Sequence, residues 1–278
     1  MLRAGFAFFF FLAPFFLGRS APAAEFPTDA NIRYGQYAET VLDVMQPRDP
    51  ALKNRPAVIF IHGGGWVNGT KEAVVERFCV PFLEHGFVVA NVEYRLANVA
   101  IAPAAVNDVL NAAKWFHDHA SQYKVDPRKI VVSGGSAGGH LALMVGMVPE
   151  GSDLGPATRI AAIVNFYGIT DVADQLSGPN MRRYAVTWVP DSPDRLTLAK
   201  HVSPMTYVRK GLPPVLTLHG DADQTVPYEQ GANLTNALKQ AGDKAELITV
   251  PGGKHGLTPE LPELWPKIFQ FLKKYKVM

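Results

Sequence analysis

One serine of this chain stands where its hydroxyl could act as a nucleophile. Ser136 lies in the segment GGSAG at residues 134–138, between a β-branched run and a helical apolar stretch. A sharp strand-to-helix turn needs backbone angles and close approaches that only small residues allow. The pattern G-x-S-x-G is typical of such a turn and raises the serine out of the sheet. We interpret Ser136 as a nucleophile, with a plain glycine-rich turn as the alternative.

A carboxylate and an imidazole that could serve this serine follow later in the chain. The segment LHGDADQTVP supplies Asp221 and Asp223, and VPGGKHGL places His255 in a glycine-rich loop. A serine hydrolase needs one carboxylate to orient the imidazole, whereas an aspartate in a turn usually caps the backbone. We assign the orienting role to Asp223 and the capping role to Asp221. The order Ser136, Asp223, His255 is the one expected on a parallel sheet that carries such a serine turn.

A third glycine-rich segment, HGGGW at residues 62–66, could stabilise negative charge. Consecutive glycines let backbone amides turn toward one point, where a developing oxyanion would be held. A flexible loop or a phosphate nest is the alternative. A phosphate loop normally continues with Lys and then Ser or Thr, but this one continues with Val67-Asn68. Together with Ser136, the segment favours acyl transfer over nucleotide binding.

The elements that would position these loops alternate between strand-like and helical patterns. Apolar β-branched runs occur at residues 57–62, 87–94, 129–134, 160–168, 214–220 and 245–250. Helical patterns occur near residues 72–85, 103–120, 137–147, 228–241 and 260–275. Continuous apolar runs are typical of strands covered on both faces. We therefore predict an α/β fold with a mostly parallel central sheet and helices on both faces, plus an antiparallel edge strand near 41–47.

The chain organisation indicates one domain behind an export signal. Residues 1–24 combine Arg3, an apolar run at 4–17 and a small-residue exit, which predicts a secretory signal peptide and a secreted or periplasmic protein. An uncleaved anchor is the alternative. No repeat or charged linker divides residues 25–278. The irregular, proline-containing stretch 170–210 is expected to act as a lid or a substrate-binding excursion.

Composition excludes several other classes of function. Loss of residues 1–24 removes two arginines and no acid, so the formal charge falls from +2 to zero. A near-neutral surface gives no electrostatic basis for binding nucleic acid or an anionic membrane. Cys79 is the sole cysteine, and no Cys, His or acidic cluster has metal-ligand spacing. Nothing in the sequence indicates a cofactor or fixes the oligomeric state.

Seven segments occur together in the order of one known superfamily of hydrolases. They are HGGGW (62–66), YRL (94–96), PAAVND (103–108), DPRKIVVSGGSAGGHLA (126–142), SPMTYV (203–208), LPPVLTLHGDADQTVP (212–227) and GGKHGL (252–257). From about residue 35 the chain thus resembles the hormone-sensitive-lipase-like esterases of the α/β-hydrolase fold. Within them it is most similar to bacterial feruloyl and acetyl-xylan carbohydrate esterases.

The resemblance implies a role for each candidate residue. Ser136 would be the nucleophile, His255 the general base and then acid, and Asp223 its orienting carboxylate. The implied oxyanion hole consists of the backbone amides of Gly64, Gly65 and Ala137.

By the same resemblance, Tyr94, Arg95 and Asp108 would brace the glycine loop rather than react.

Two departures from the family pattern distinguish branches of the superfamily. Gly135 stands where lipases of the superfamily often carry an acidic residue, and only a short segment precedes the first strand. Both departures favour the smaller, more open carbohydrate-esterase type.

These observations predict a serine carboxylesterase that hydrolyses acetyl or feruloyl esters, with a small-molecule or oligosaccharide ester as its partner. Trp66, Tyr167 and Trp188 are expected to offer stacking surfaces to the substrate, unless they are core aromatics. An amide hydrolase, either a formamidase or an exopeptidase, is the first alternative because the same triad cleaves amides. A catalytically inactive binding protein is the second, and the presence of all three triad residues disfavours it.

Overall fold

A computed structural model describes residues 26–49 and 51–278, so the predicted signal peptide lies outside the described residues. Within these ranges an eight-stranded sheet has the spatial order β1-β2-β4-β3-β5-β6-β7-β8. The strands are β1 Thr28–Arg33, β2 Val41–Met45, β3 Arg55–Ile61, β4 Val88–Val92, β5 Val125–Gly135, β6 Ala162–Phe166, β7 Val215–Gly220 and β8 Ala245–Val250. From β4 to β8 the neighbours are parallel, which confirms the predicted mostly parallel sheet.

The helices lie on both faces of this sheet, as predicted. They are α1 Val80–Glu84, α2 Ala104–Asp118, α3 Ala137–Met147, α4 Arg183–Trp188, α5 Arg195–His201, α6 Tyr228–Gln240 and α7 Leu261–Lys274. One core contains buried side chains of α2, α3 and α6, and the other contains those of α1 and α7. Alternate residues of β3 point into opposite cores, with Ile59 in the first and Phe60 in the second. This two-sided burial explains why the parallel strands have continuous apolar sequences.

The predicted edge position of residues 41–47 is wrong, although their antiparallel direction is confirmed. β2 pairs antiparallel with β4 and is covered on its other side by β1. β1 has the sequence TDANIR and is largely exposed. A polar strand exposed in this way lacks the apolar run on which strand prediction depends.

The register of β3 and β5 brings two of the predicted loops together. Ile61 at the end of β3 pairs with Gly134 in β5. The chain therefore leaves the sheet side by side at His62 after β3 and at Ser136 after β5. This is the carboxyl edge of the parallel strands, where ligands of such sheets gather.

The stretch 170–210 is more regular than its sequence indicates. It contains α4, α5 and two single turns of 3-10 helix, Ala173–Gln175 and Pro204–Tyr207. Across the described ranges, no helix is both apolar enough and long enough to cross a membrane.

Candidate active site

Ser136 occupies a strained turn between β5 and α3. Its φ and ψ are +58° and −122°, a conformation that costs a non-glycine residue of order 1–3 kcal/mol. The turn requires small neighbours, because a Cβ added at Gly134 would collide with Gly138 O and one at Gly138 with Ile61 O. The glycines of the GGSAG segment therefore allow the close packing that holds Ser136 at the sheet edge.

The structure brings Ser136, His255 and Asp223 into one hydrogen-bonded chain. Nε2 of His255 lies 3.0 Å from Ser136 Oγ, and its Nδ1 lies 2.8 Å from Asp223 Oδ2. A carboxylate only accepts, so Nδ1 carries the proton and Nε2 is left to accept from the serine hydroxyl. This is the geometry by which an imidazole withdraws a proton from a serine as it attacks.

Asp223 is held as a carboxylate by its surroundings. Burial alone would raise its pKa, but hydrogen bonds from His219, His255 and the Val226 amide outweigh burial and lower the pKa below the usual aspartate range. Its Oδ1 accepts from the amides of Thr225 and Val226 at 2.8 and 3.0 Å. Both oxygens are therefore fixed, and Oδ2 is aimed at His255.

The second aspartate of this loop caps the backbone. Asp221 Oδ1 accepts from the amide of Gly252 at 2.7 Å. Gly252 precedes His255 on the neighbouring loop, so Asp221 ties the carboxylate loop to the histidine loop without contacting the imidazole.

The HGGGW loop presents unpaired amides beside Ser136. Gly64 and Gly65 have φ values of +119° and +61°, which glycine adopts at little cost. Across the described ranges, no protein acceptor takes the amide hydrogens of Gly64, Gly65 or Ala137. Gly64 and Gly65 line the same cavity as Ser136, and Ala137 is the first residue of α3. Three amides are thus available to an anion near the serine.

Buried polar contacts fix this loop. His62 stacks on Tyr94 with ring centroids 4.3 Å apart, and its Nε2 lies 2.8 Å from Glu93 Oε1. The hydroxyl of Tyr94 donates to His62 O at 3.1 Å.

Arg95 and Asp108 form a second brace beneath the loop. Arg95 Nη2 and Nε donate to the two oxygens of Asp108 at 2.7 and 2.8 Å. The pair anchors the segment after β4 to α2. Two residues further on, the Ala97 amide donates to Trp66 O at 2.8 Å, so this segment also supports the end of the glycine loop.

A cavity of about 450 Å³ opens above the serine. Its wall combines apolar side chains with polar ones, and among the described residues it includes Phe60, Val67, Asn68, Val74, Arg77, Phe78, Tyr167, Tyr184 and Thr225. Ser136 and His255 lie in the same wall. A volume of this size accommodates a small ligand.

The expectation that Trp66 and Trp188 stack on a substrate is wrong, because both are fully buried and neither lines the cavity. Their rings stack on each other at 4.2 Å, and Trp66 Nε1 donates to His140 Nδ1 at 3.2 Å. Tyr167 does line the cavity, but only 3% of it is exposed. Its ring contacts His255 edge-on with centroids 4.8 Å apart. Two of the three predicted aromatics are therefore core residues.

Tyr184 and Arg77 line the cavity but were not predicted. Tyr184 comes from α4 and packs against Gly65, where an added Cβ would lie 2.7 Å from its ring. Its sequence surroundings carry no periodic or motif signal. Arg77 lies within the predicted helical stretch 72–85, among apolar residues that indicate packing alone.

The described residues offer no group of three or more His, Cys, Asp or Glu side chains arranged to hold a metal. Cys79 is fully buried, and burial raises the pKa of its thiol, so it stays protonated.

Comparison with known proteins places the chain in a family. Residues 42–238 match the BD-FAE family model. Esterase LipC of Mycobacterium tuberculosis is 30% identical over 81% of this chain and 59% of its own length. The chain thus spans less than two thirds of this relative.

Solved structures resemble it over nearly their full length. A truncated carbohydrate esterase from gut microbiota has a TM-score of 0.81 and 27% identity, covering 93% of this chain and 99% of that one. Propionate-bound esterase 2 of Thermogutta terrifontis has a TM-score of 0.75 and 30% identity, covering 93% and 97%. The sheet, the serine turn and these matches agree, and the chain belongs to the BD-FAE family of hormone-sensitive-lipase-like esterases with the α/β-hydrolase fold.

Proposed function

We propose that this protein is a serine carboxylesterase that hydrolyses short acyl or aromatic esters of carbohydrates. The observation that carries the proposal is the hydrogen-bonded chain Ser136–His255–Asp223, with three backbone amides near Ser136 that have no acceptor in the described ranges. Family membership and the esterase names of the similar proteins support the reaction class. The carbohydrate-esterase neighbour supports the alcohol portion.

In the proposed first half-reaction, Ser136 Oγ attacks the ester carbonyl carbon while His255 Nε2 takes the hydroxyl proton. The carbonyl oxygen becomes an oxyanion, which the amides of Gly64, Gly65 and Ala137 hold. Asp223 stabilises the imidazolium without taking its proton. The bond to the alcohol oxygen then breaks, His255 gives that oxygen its proton, and an acyl-enzyme on Ser136 remains.

The second half-reaction repeats these roles with water. His255 takes a proton from a water molecule, whose oxygen attacks the acyl carbon, and the same amides hold the second oxyanion. When the bond to Oγ breaks, the proton returns to Ser136 and the acid leaves. The net reaction consumes one water and uses no group other than the protein's own residues.

The wall of the cavity supports a small or flat acyl group. Tyr184 closes it against Gly65, and Phe60, Val74 and Phe78 make part of it apolar. The stretch 170–210 contributes Tyr184, and we propose that it forms a fixed wall of the substrate site. The N-terminal pattern of residues 1–24 supports a secreted or periplasmic location, where ester substrates outside the cytoplasm would be met.

The test is acid release by the purified protein from acetylated xylooligosaccharides, methyl ferulate and p-nitrophenyl butyrate. We expect turnover that Ser136→Ala lowers by about 10⁴-fold or more in kcat. Ser121→Ala makes the same chemical change at an exposed serine and serves as the matched control. Release of acid from none of the three substrates by the folded protein would contradict the proposal, and an amide panel would then be assayed.

A further inference from the structure

Arg77 is the residue of the cavity that the proposed reaction does not use. It lies on the helical turn Val75–Cys79, which precedes α1. Among the described residues that line the cavity, it is the one with a fixed charge, and the wall includes no acidic side chain. An arginine beside an ester-cleaving serine has no part in proton transfer, because its guanidinium does not give up a proton in proteins.

The acceptors around Arg77 are all neutral. Nη2 donates to Tyr167 Oη at 3.0 Å and to Gly256 O at 2.9 Å, and Nη1 donates to Thr258 Oγ1 at 3.0 Å. Burial raises the pKa of Tyr167 to about 12, although Arg77 opposes that shift. Tyr167 is therefore an uncharged phenol and supplies no counter-charge.

Arg77 lacks a carboxylate partner in the described ranges, although its Cζ lies 4.5 Å from the centroid of the Phe78 ring. No carboxylate there lies within 4.0 Å of its nitrogens. Three of the five N–H groups of a guanidinium are used by the contacts above, and Nε is shielded from solvent without a hydrogen-bond partner. Arg95 and Arg128 differ, since they are paired with Asp108 and Asp126, whereas Arg55 at the start of β3 also has neutral acceptors but does not line the cavity.

A carboxylate on the substrate would complete this arrangement. One N–H of Nη1 is left for a substrate, since both of Nη2 are used and Nε is shielded. A charge-assisted hydrogen bond from it to a carboxylate is stronger than one to a neutral acceptor. We infer that the site prefers esters that carry a second, anionic carboxylate group, which Arg77 binds while Ser136 attacks the ester carbonyl. This inference rests on the proposed esterase function, and the bound carboxylate itself takes no part in bond making or breaking.

The carboxylate could belong to either portion of the ester. On the acyl side the substrate would be a monoester of a dicarboxylic acid. On the alcohol side it would be an acyl ester of an acidic alcohol, such as a uronic acid sugar. The chemistry recognised by Arg77 is the same, so the experiment uses one matched pair of esters for each side.

The acyl pair is monoethyl glutarate and ethyl valerate, followed by ethanol release. The alcohol pair is 4-acetoxybenzoate and 4-acetoxybenzamide, followed by acetate release. In at least one pair we expect the anionic ester to have a kcat/KM about tenfold or more above its neutral partner, mainly through KM. Because exposed charge interactions are screened, this preference should shrink as NaCl rises from low to high concentration.

Substitution of Arg77 distinguishes binding of the substrate carboxylate from structural support of the loop that carries His255. Arg77→Met should lower kcat/KM of the anionic ester at least tenfold more than that of its neutral partner, and Arg77→Lys should keep part of the preference. Arg33→Met removes an exposed charge on β1 and should leave the preference intact. If Arg77 only supports the loop through Gly256 beside His255, Arg77→Met would lower kcat/KM of both esters of a pair by the same factor.

Binding to an inactive variant makes the inference independent of turnover. Calorimetry on Ser136→Ala should show that monoethyl glutarate or 4-acetoxybenzoate binds more tightly than its neutral partner, and that adding Arg77→Met removes the difference. Equal affinity of Ser136→Ala for the anionic and neutral esters would overturn the inference. So would an equal loss of affinity for both esters when Arg77→Met is added. Absence of any ester hydrolysis with this binding difference intact would instead overturn the proposed function alone.

Discussion

Two regions of the molecule build the cavity by different physical means. The loops after β5, β7 and β8 carry Ser136, Asp223 and His255, and the loop after β3 carries the HGGGW segment. Their positions follow from strand register and from glycines that permit close approach. The excursion 170–210 supplies Tyr184 and is held by buried side chains such as Trp188 and Val202 and by side-chain hydrogen bonds. The reacting atoms therefore lie on loops that leave the sheet directly, and part of the substrate wall lies on the excursion.

Two polar side chains, Arg182 and Gln230, link the excursion 170–210 to neighbouring segments by hydrogen bonds. Arg182 Nε and Nη2 donate to Thr225 O and Gln224 O at 2.8 and 2.6 Å, next to Asp223. Gln230 Oε1 accepts from the amides of Thr170 and Asp171 at 2.7 and 2.8 Å. These contacts hold the wall against the loop that carries the triad carboxylate.

The largest effect is expected within the triad loops. Asp223→Asn should lower kcat about 10⁴-fold, because an amide cannot hold the imidazole in the tautomer that accepts the serine proton. Steady-state kinetics on p-nitrophenyl butyrate measures the change. Asp221→Asn, two residues away, keeps an oxygen for the Gly252 amide and should stay within a few-fold of the wild type. Equal losses in the two variants would mean that Asp223 only supports the loop.

His140 links the two regions, and its burial predicts a pH effect. It accepts from Trp66 of the glycine loop and lies 2.6 Å from Val202 O of the excursion. Burial lowers its pKa from 6.5 to about 4, against the opposing hydrogen bond to Val202. The unfolded chain therefore binds a proton between these values while the folded protein does not.

Stability should fall as pH drops through this window. The contribution of His140 is fully present above pH 6.5 and is lost toward pH 4, by about 3 kcal/mol in the free energy of unfolding. Urea unfolding followed by circular dichroism should show a smaller loss between pH 7 and 4 for His140→Gln, whereas His117→Gln on the partly exposed surface of α2 should behave like wild type. A loss in His140→Gln as large as in wild type would contradict this account.

The smallest effect is expected from the excursion itself. Tyr184 Oη donates to Gln175 Oε1 at 2.9 Å, a bond with a net value of about 1 kcal/mol. Tyr184→Phe should therefore lower kcat/KM by about fivefold or less, mainly through KM. Tyr207→Phe removes a hydroxyl of the same excursion that bonds His201 O, away from the cavity, and should leave kcat/KM unchanged. A fall in kcat of Tyr184→Phe as large as that of Asp223→Asn would contradict the different roles of the two regions.

The difference between the triad loops and the excursion also explains which features could be predicted from the sequence. Glycines and strand patterns are local signals, so the serine turn, the HGGGW loop and the parallel sheet could all be predicted from the sequence. Tyr184 is placed by hydrogen bonds to Gln175, nine residues before it, and to Thr225, 41 residues after it, and such contacts leave no local pattern. Trp66 and Trp188 failed as predicted stacking surfaces because their burial depends on a mutual stacking contact. Strand β1 was missed because an exposed polar strand has no apolar periodicity.

The central claim is that Ser136 forms the covalent intermediate, and active-site labelling tests it most directly. Paraoxon transfers a diethylphosphoryl group to an activated serine, and the intact mass and the labelled peptide locate the adduct. We predict one adduct per chain, on Ser136, that forms far more slowly in Asp223→Asn and not at all in Ser136→Ala. An adduct on another residue, or ester hydrolysis that persists in Ser136→Ala, would contradict the assignment of the active site.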